Sequence, residues 1–211
     1  FATASSPYNT GLGFATGSNI TTGVFNTLVG ALAGDALTDA DANVAVGYLA
    51  LGADTLGSNS VAVGMNALQA QNFTTATSAY NTGVGQNAGA EVTTGVKNTF
   101  IGGLTGDAIT SGTLNTAVGS SALTGDTLGS KTTAIGEGAL AVQNFTTATD
   151  TFNVALGYQA GVAVTTGVQN TLIGATAGLF VTTGTNNIII GYLAGAHATS
   201  LSTGGNNTLV G

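Results

Sequence analysis

The side chains that could do chemistry are few and scattered along the chain. Among 211 residues there are one histidine, no cysteine and nine acidic residues. The histidine, His197, stands in the segment Ala-His-Ala-Thr-Ser. A Ser-His-Asp site would need an oriented acid and a nucleophile on a sharp turn, and neither signature accompanies His197. We therefore interpret His197 as a solvated loop residue.

The closest group of carboxylates is formed by Asp35, Asp39 and Asp41. Carboxylate oxygens are calcium ligands, so this trio is a candidate calcium site. The glycine-aspartate nonapeptide of calcium-binding β-rolls is absent, however. Asp54 and Asp126 recur one block apart, which separates like charges instead of pairing them for acid–base work. We predict no catalytic, cofactor or metal site, and hence no enzyme activity.

The charge balance excludes several classes of partner. The formal net charge is −7, and Lys97 and Lys131 are the only cationic residues apart from the histidine. Nucleic acid requires clusters of lysine and arginine for its phosphates, and an anionic membrane surface makes a similar demand. No apolar run reaches the length of a membrane span. We expect neither nucleic-acid binding nor membrane insertion of this segment.

The elements that would position these side chains are copies of one phrase. Asn170-Thr171-Leu172-Ile173-Gly174 is one of twelve segments with the pattern Asn, β-branched, apolar, aliphatic, Gly, and only Ser60 and Thr132 replace the asparagine. The closing glycines are spaced 17, 17, 17 and 21 residues apart in the first two blocks, so four units make a block of 72, and 17, 17 and 20 apart in the third. Such a fixed period predicts a repeat architecture. We divide the single array 1–211 into blocks 9–80, 81–152 and 153–211 (partial). Residues 1–8 match the end of a preceding block, so we expect a window of a longer protein.

The five positions predict one short strand per unit. β-Branched residues at the second position suit a pleated surface, and the 34 glycines exclude a helical solenoid. The fold class is therefore all-β, a parallel β-solenoid (β-roll) of about twelve rungs of 17–21 residues. Strands stacked at about 4.8 Å would make a rod roughly 55–60 Å long. Stacked asparagines would hydrogen-bond to the rungs above and below.

The second and fourth positions of the phrase share one face of the strand, and the third position lies on the other. We assign the second and fourth positions to the core of the coil. The third position is then an outward apolar stripe that needs a second layer, either from the same rung or from neighbouring chains, and we favour neighbouring chains in a homotrimer. The predicted oligomer stripe comprises Leu28, Phe100, Leu172, Ile189 and Leu209. Thr-Thr-Gly segments, such as Thr93-Thr94-Gly95, are interpreted as a second short strand and turn.

The long unit adds a segment that should emerge as a loop once per block. It reads Gln-Asn-Phe-Thr-Thr-Ala-Thr at 71–77 and again at 143–149. We predict that surface contacts are made here and at the aromatic residues that end each block. The candidate contact residues are Phe73, Thr74, Thr75, Tyr80, Phe145, Thr146, Thr147 and Phe152.

The sequence of the repeat resembles repeats in two groups of proteins. Ser60-Val61-Ala62-Val63-Gly64 and the segment 115–122, Asn-Thr-Ala-Val-Gly-Ser-Ser-Ala, are similar to the head repeats of YadA-type trimeric autotransporter adhesins. The segment 153–161 resembles repeat arrays of phage tail-fibre proteins. The resemblance implies a parallel β-roll, three chains packed side by side, and attachment to cell or matrix surfaces. A cell-surface glycan or a matrix protein would then be the partner.

These observations favour a non-catalytic extracellular fibre segment that acts as structural rod and attachment module. Low charge and few cleavage sites for basic-specific proteases suit an extracellular fibre. An alternative is a solitary ice-binding or other ligand-binding solenoid, which would need a flat threonine array at every rung. A polysaccharide-cleaving β-helix is a third possibility, but it would need a charged cleft that the scattered carboxylates and two lysines do not supply.

Overall fold

The chain folds as a parallel β-solenoid of about twelve turns, each contributing one three-residue strand to a single sheet. The computed structural model describes residues 8–196 and 201–211, so His197 lies outside the described residues. The strands of the sheet are β1 (Thr10–Leu12), β2 (Thr27–Val29), β3 (Val44–Val46), β5 (Val61–Val63), β7 (Thr82–Val84), β8 (Thr99–Ile101), β9 (Thr116–Val118), β11 (Thr133–Ile135), β13 (Val154–Leu156), β14 (Thr171–Ile173), β15 (Ile188–Ile190) and β16 (Thr208–Val210). Within the described ranges, no helix is long and apolar enough to cross a membrane.

Neighbouring strands pair in parallel with equivalent residues opposite each other, for example Thr27 with Val44. The long unit does not disturb this register, because Val61 still pairs with Thr82. Its extra residues are accommodated outside the sheet, in a bend at Thr74 and Thr75. Beside this bend lie two small parallel pairs: β4 (Gly57–Ser58) with β6 (Thr77–Ser78), and β10 (Gly129–Ser130) with β12 (Thr149–Asp150).

The closing glycine of each phrase is required by backbone geometry. All twelve have φ between +126° and +144°. At Gly85, an added Cβ would lie 2.4 Å from the carbonyl oxygen of Gly102 in the next turn. Only glycine combines this conformation with so close a backbone approach, which explains why the fifth position never varies.

The assignment of the two strand faces was wrong, and the structure reverses it. The third position points into the coil: Leu28, Phe100, Leu172 and Ile189 are fully buried, and Leu209 packs against the core while partly buried. These residues therefore cannot form an oligomer stripe. The second and fourth positions are the ones that reach solvent. The strand is apolar on both faces, so alternation alone could not decide which face turns inward.

The interior is filled by pairing large strand residues with small turn residues. Leu28 lies between Gly17 and Gly34, where an added Cβ on either glycine would come within 2.9 Å of a leucine methyl group. Where the strand carries Ala45, the turn supplies the buried Leu51 instead. This exchange explains why two units of a block carry Gly after the strand and the other two carry Leu.

The predicted asparagine stacking is confirmed, with backbone groups as the main partners. Asn98 is fully buried, and its backbone N–H donates to Asn81 Oδ1 at 2.9 Å. Its own Oδ1 accepts from the backbone N–H of Asn115 at 3.0 Å, and its Nδ2 donates to Gly112 O at 2.9 Å. Each asparagine thus joins consecutive turns at a corner of the coil.

The Thr-Thr-Gly segments are bends, so the prediction of a second strand there was wrong. Thr93 shows the reason, because its backbone N–H and its Oγ1 both donate to Thr110 O, at 2.8 and 3.2 Å. One carbonyl therefore receives both donors, and the segment cannot pair as a regular ladder. Thr110 donates in the same way to Thr127 O in the following turn.

Candidate functional surface

The predicted contact residues divide into exposed and buried members. Four threonines of the loops are exposed, and so are two aromatic residues, Tyr80 at 56% and Phe152 at 50%. The exposed threonines are Thr74, Thr75, Thr146 and Thr147. Phe73 and Phe145 are only 6% exposed, so their prediction as surface contacts was wrong. Phe73 lies over Gly57, where an added Cβ would be 2.7 Å from its ring. Phe73 therefore anchors the loop to the coil.

A buried polar pair holds this anchor in place. Asp54 and Gln71 occupy equivalent core positions of consecutive turns, and Gln71 Nε2 donates to Asp54 Oδ2 at 2.5 Å. Asp54 Oδ1 accepts from the backbone N–H groups of Phe73 at 3.2 Å and Gly57 at 3.0 Å. The second block repeats the arrangement with Asp126 and Gln143, whose amide donates at 2.6 Å. A buried carboxylate thus holds the backbone of the long unit against the coil.

The same pair explains why Ser60 interrupts the asparagine ladder. Gln71 Nε2 donates to Ser60 Oγ at 3.0 Å, and Gln71 Oε1 accepts from Asn81 Nδ2 at 2.8 Å. The glutamine amide therefore bridges the gap left by the missing asparagine. Thr132, Gln143 and Asn153 form the equivalent contacts in the second block. In both blocks, Ser or Thr replaces the asparagine in the same unit that carries the extra Gln. This combination could have predicted the network from the sequence.

Desolvation by burial raises the pKa of both Asp54 and Asp126 above the ordinary value for aspartate. The hydrogen bonds from Gln71 and from backbone N–H groups act in the opposite direction and lower the pKa of Asp54. Both side chains are fully enclosed. Neither carboxyl can reach a substrate, and their role is structural.

A shallow cleft of about 370 Å³ contains the most distinctive surface carboxylate, that of Asp35. Gly52, Gln69 and Glu91 also line the cleft. Asp35 Oδ1 is buried and makes no hydrogen bond within the described part of the chain, and desolvation raises the pKa of this group. In the next block, Thr124 Oγ1 donates to the equivalent Asp107 at 2.5 Å. Gly52 stands at the position of Thr124, so Asp35 lacks this partner.

The three candidate calcium ligands each have a separate environment. Asp39 accepts a hydrogen bond from the hydroxyl of Thr22, whereas Asp41 Oδ1 accepts from the backbone N–H of Val24 at 2.8 Å. Among residues 8–196 and 201–211, no three histidine, cysteine or acidic side chains are grouped as metal ligands would be. Asp35, Asp39 and Asp41 are not brought together.

The largest candidate surface is the outward face, which we define as the first and last residue of each strand in the twelve-stranded sheet. The last residue is aliphatic in every strand, and its exposed fraction is 41% at Ile101 and 45% at Leu156 within the sheet and 69% at Leu12 in the first strand. The first residue is β-branched in every strand. The outward face is therefore a continuous apolar ladder, broken only by threonine hydroxyls.

These hydroxyls are not used by the fold. Eight of the twelve strands begin with threonine, and none of the eight hydroxyls makes a hydrogen bond to another described residue. The eight are Thr10, Thr27, Thr82, Thr99, Thr116, Thr133, Thr171 and Thr208. By contrast, the hydroxyls of Thr93 and Thr110 donate hydrogen bonds to backbone carbonyl groups of the next turn. The outward hydroxyls remain free for an external partner.

A column of exposed or half-buried side chains borders the outward face at the residue before each asparagine position. All twelve of these residues have φ between +43° and +64°, a conformation that is costly for large side chains. Tyr8 and Phe25 stack there with ring centroids 5.6 Å apart. Lys131 lies 5.1 Å above the Phe152 ring and pairs with Asp150 at 2.5 Å. Sequence reasoning found Tyr80 and Phe152 but missed that Lys97 and Lys131 share their column.

Comparison with known proteins adds no family. No protein-family model, no curated protein and no solved structure matches the chain. The functional argument therefore depends on the surfaces described above.

Proposed function

We propose that this chain is a segment of a non-catalytic extracellular fibre, a structural rod that also serves in attachment. In this proposal three copies assemble side by side through the outward face. The observation that carries it is the aliphatic residue that ends each of the twelve strands on the outward face. The residues first expected at the interface are inside the coil, so the interface moves to the opposite face of the same strands.

The size of the outward face supports an assembly. Twelve strands at about 4.8 Å, each about 10 Å long, give roughly 600 Å² for the strands alone. The largest apolar patch of an ordinary monomer is about 300–600 Å². The flanking aromatic residues extend the surface further, toward the roughly 800 Å² that each partner contributes to a stable interface. An apolar face of this size favours burial against another surface.

Light scattering over a dilution series tests the assembly. We expect a trimer whose mass is independent of concentration. Replacing Ile101 and Leu156 by Lys places charges in the interface, and the variant should dissociate with an unchanged circular dichroism spectrum. Phe180→Lys is the matched control, since Phe180 is exposed in a turn outside the sheet. A monomeric parent chain at all concentrations would refute side-by-side assembly.

The attachment role is tested separately at the column that borders the outward face. Tyr80→Ala combined with Phe152→Ala removes two exposed rings that recur in consecutive blocks. We expect weaker retention on immobilised cell-surface glycans or matrix proteins, and unchanged retention for Phe180→Ala. Equal retention of the parent chain, the double variant and Phe180→Ala would show that this column makes no attachment contact.

The free threonine hydroxyls favour a second candidate, binding of a regular lattice such as ice. The sequence analysis assigned these second-position threonines to the core of the coil, whereas they face solvent. The array has only one threonine per strand, however, and aliphatic residues replace it in β3, β5, β13 and β15. A monomer with measurable thermal hysteresis would favour this function, because a face buried in a trimer cannot also bind ice.

A further inference from the structure

Two groups of asparagines in this chain differ in structure. The ladder asparagines, such as Asn98, are buried and hydrogen-bonded on both sides of the amide. Four other asparagines stand in the pattern Asn-x-Thr, which is the acceptor signal for N-linked glycosylation. They are Asn19, Asn72, Asn144 and Asn206, and all four are exposed. Exposure makes each a possible acceptor, so the local geometry must distinguish them.

Asn72 and Asn144 present the same geometry in consecutive blocks. Asn72 Oδ1 accepts from Thr55 Oγ1 at 3.1 Å, and its backbone N–H donates to Thr93 O at 3.0 Å. Asn144 Oδ1 accepts from Thr127 Oγ1, also at 3.1 Å. Neither Nδ2 has a hydrogen-bond partner among the described residues. The backbone is therefore held while the reactive nitrogen stays free.

The threonine of each signal is equally accessible. Thr74 and Thr146 are exposed where the loop bends away from the coil, and no hydrogen bond inside the described ranges involves either hydroxyl. An enzyme that reads the hydroxyl two residues after asparagine can therefore reach both groups at once. The middle residue of each signal, Phe73 or Phe145, is buried and fixes the segment to the rod.

Side-chain hydrogen bonds occupy the signal at Asn19, and backbone geometry constrains the signal at Asn206. Asn19 Nδ2 donates to Asp35 O at 2.7 Å, and Thr21 Oγ1 donates to Thr38 O at 3.1 Å. The Thr208 hydroxyl has no partner among the described residues, but Asn206 has φ of +62° and its backbone N–H donates to Thr185 O at 3.0 Å. Thr208 begins β16 on the outward face, where the proposed assembly would cover it. In the folded protein neither signal can enter the active site of a transferase without breaking hydrogen bonds between consecutive turns.

We propose that Asn72 and Asn144 are acceptors of N-linked glycans, an inference that rests on the extracellular placement in the proposed function. The donor is a sugar activated as a phosphate or pyrophosphate ester, supplied with a transferase that recognises Asn-x-Thr. The amide nitrogen bonds to the anomeric carbon, the bond from that carbon to the phosphate oxygen breaks with its electron pair, and the amide proton leaves to a base. No oxidant or reductant takes part. The two glycans would stand four turns apart, about 19 Å along the rod.

Incubating the folded chain with a purified single-subunit oligosaccharyltransferase and a lipid-pyrophosphate-linked oligosaccharide tests the proposal. Intact mass spectrometry should show two added glycans, and peptide N-glycosidase should remove them and leave aspartate at 72 and 144. Thr74→Val and Thr146→Val should each lose one glycan, and the double variant both. Thr74→Ser retains the hydroxyl and should keep both glycans, as should the neighbouring control Thr75→Val.

Absence of transfer to the folded chain, or transfer confined to Asn19 and Asn206, would overturn the assignment. The same samples are examined by light scattering, which separates the two proposals. A trimer without glycans contradicts only the acceptor sites, and a monomer with two glycans contradicts only the side-by-side assembly. Thr74→Val and Thr146→Val change exposed residues outside the sheet, so the assembly should be the same with and without them.

Discussion

Ile189 occupies the space beside Gly195 that a leucine fills in the same turn of the other blocks. An added Cβ on Gly195 would lie 3.4 Å from the Ile189 side chain and 3.1 Å from Leu201. In the first block the equivalent residues are Ala45 and Leu51, with the large and small side chains exchanged. The core is thus conserved in volume while the sequence changes at both positions.

This exchange predicts a strong coupling between the two positions. Ile189→Ala should destabilise by leaving a cavity, and Gly195→Leu by crowding Ile189. The double variant restores the pairing of the first block and should recover most of the loss, with a coupling energy of about 1–3 kcal/mol in denaturant unfolding. Leucine tolerates the turn, since Leu51 has φ of +53°. Additive losses would show that the two side chains do not share one space.

The orientation of the strand predicts which of two adjacent residues stabilises the coil. Leu172→Ala should cost about 2–5 kcal/mol because Leu172 is fully buried. Ile173→Ala should cost less than about 1 kcal/mol in the isolated chain, since Ile173 is only half-buried. Denaturant midpoints of both variants, measured in a chain that also carries the dissociating replacements Ile101→Lys and Leu156→Lys, provide the comparison. The reverse order of the two losses would restore the opposite assignment of the faces.

The unpartnered oxygen of Asp35 predicts a stabilising substitution. Gly52→Thr should supply the hydroxyl that Thr124 supplies to Asp107, and should stabilise by about 0.5–1.5 kcal/mol. An added Cβ at Gly52 would be 3.5 Å from Asp35 Oδ1 and 3.2 Å from both Leu49 O and a Leu49 methyl group, so Leu49 must shift slightly to admit the side chain. Gly52→Val has nearly the same shape without the hydroxyl and is the control. Equal melting temperatures for the two variants would assign any gain to shape alone.

The buried carboxyls predict that stability falls as the pH rises from acid toward neutral. Burial raises the pKa of Asp54 and Asp126 in the folded chain above the value of about 3.9 for an unfolded aspartate. Between these two values the folded chain binds more protons than the unfolded chain, so raising the pH favours unfolding. The contribution is complete below the unfolded pKa and is lost as the pH passes the folded pKa.

Denaturant midpoints from acid to neutral pH measure this dependence. Asp54→Asn combined with Asp126→Asn should flatten the curve, because neither replacement titrates. Carbon-13 NMR of the aspartate carboxyls gives the direction of each pKa directly. A midpoint that rises with pH over the same interval, in the parent but not in the double variant, would mean that the internal hydrogen bonds outweigh desolvation.

The repeat predicted the fold because its period and its β-branched second position leave few alternatives to a stacked parallel sheet. The orientation of the strand was not predictable from alternation, since Thr171, Leu172 and Ile173 offer no clear polar face. The decisive information lay in the turns, where Gly17 and Gly34 mark the space for Leu28. In the sequence, every unit that has Leu in place of the turn glycine also has Ala at the third position of the strand. The packing of the interior is needed to show that these two side chains share one space.

The loop residues illustrate a second limit. Phe73 and Thr74 are adjacent in a segment that reads as polar and exposed, yet one is buried and the other is not. The distinction comes from Asp54, a full turn earlier, whose carboxylate holds the Phe73 backbone. Sequence spacing placed the loop correctly, whereas the contact that orients it crosses between turns.

The asparagine corners determine how the rod would respond to force. Each turn is joined to the next by the same few bonds, such as those that Asn98 makes to Gly112 and Asn115. Tension on the ends would therefore load one boundary at a time, and a detached turn would release 17 residues, about 55–60 Å of extended chain. Pulling on a single molecule should show a series of nearly equal lengthening steps. A fibre built this way absorbs a sudden load by unwinding a few turns while the remaining turns stay intact.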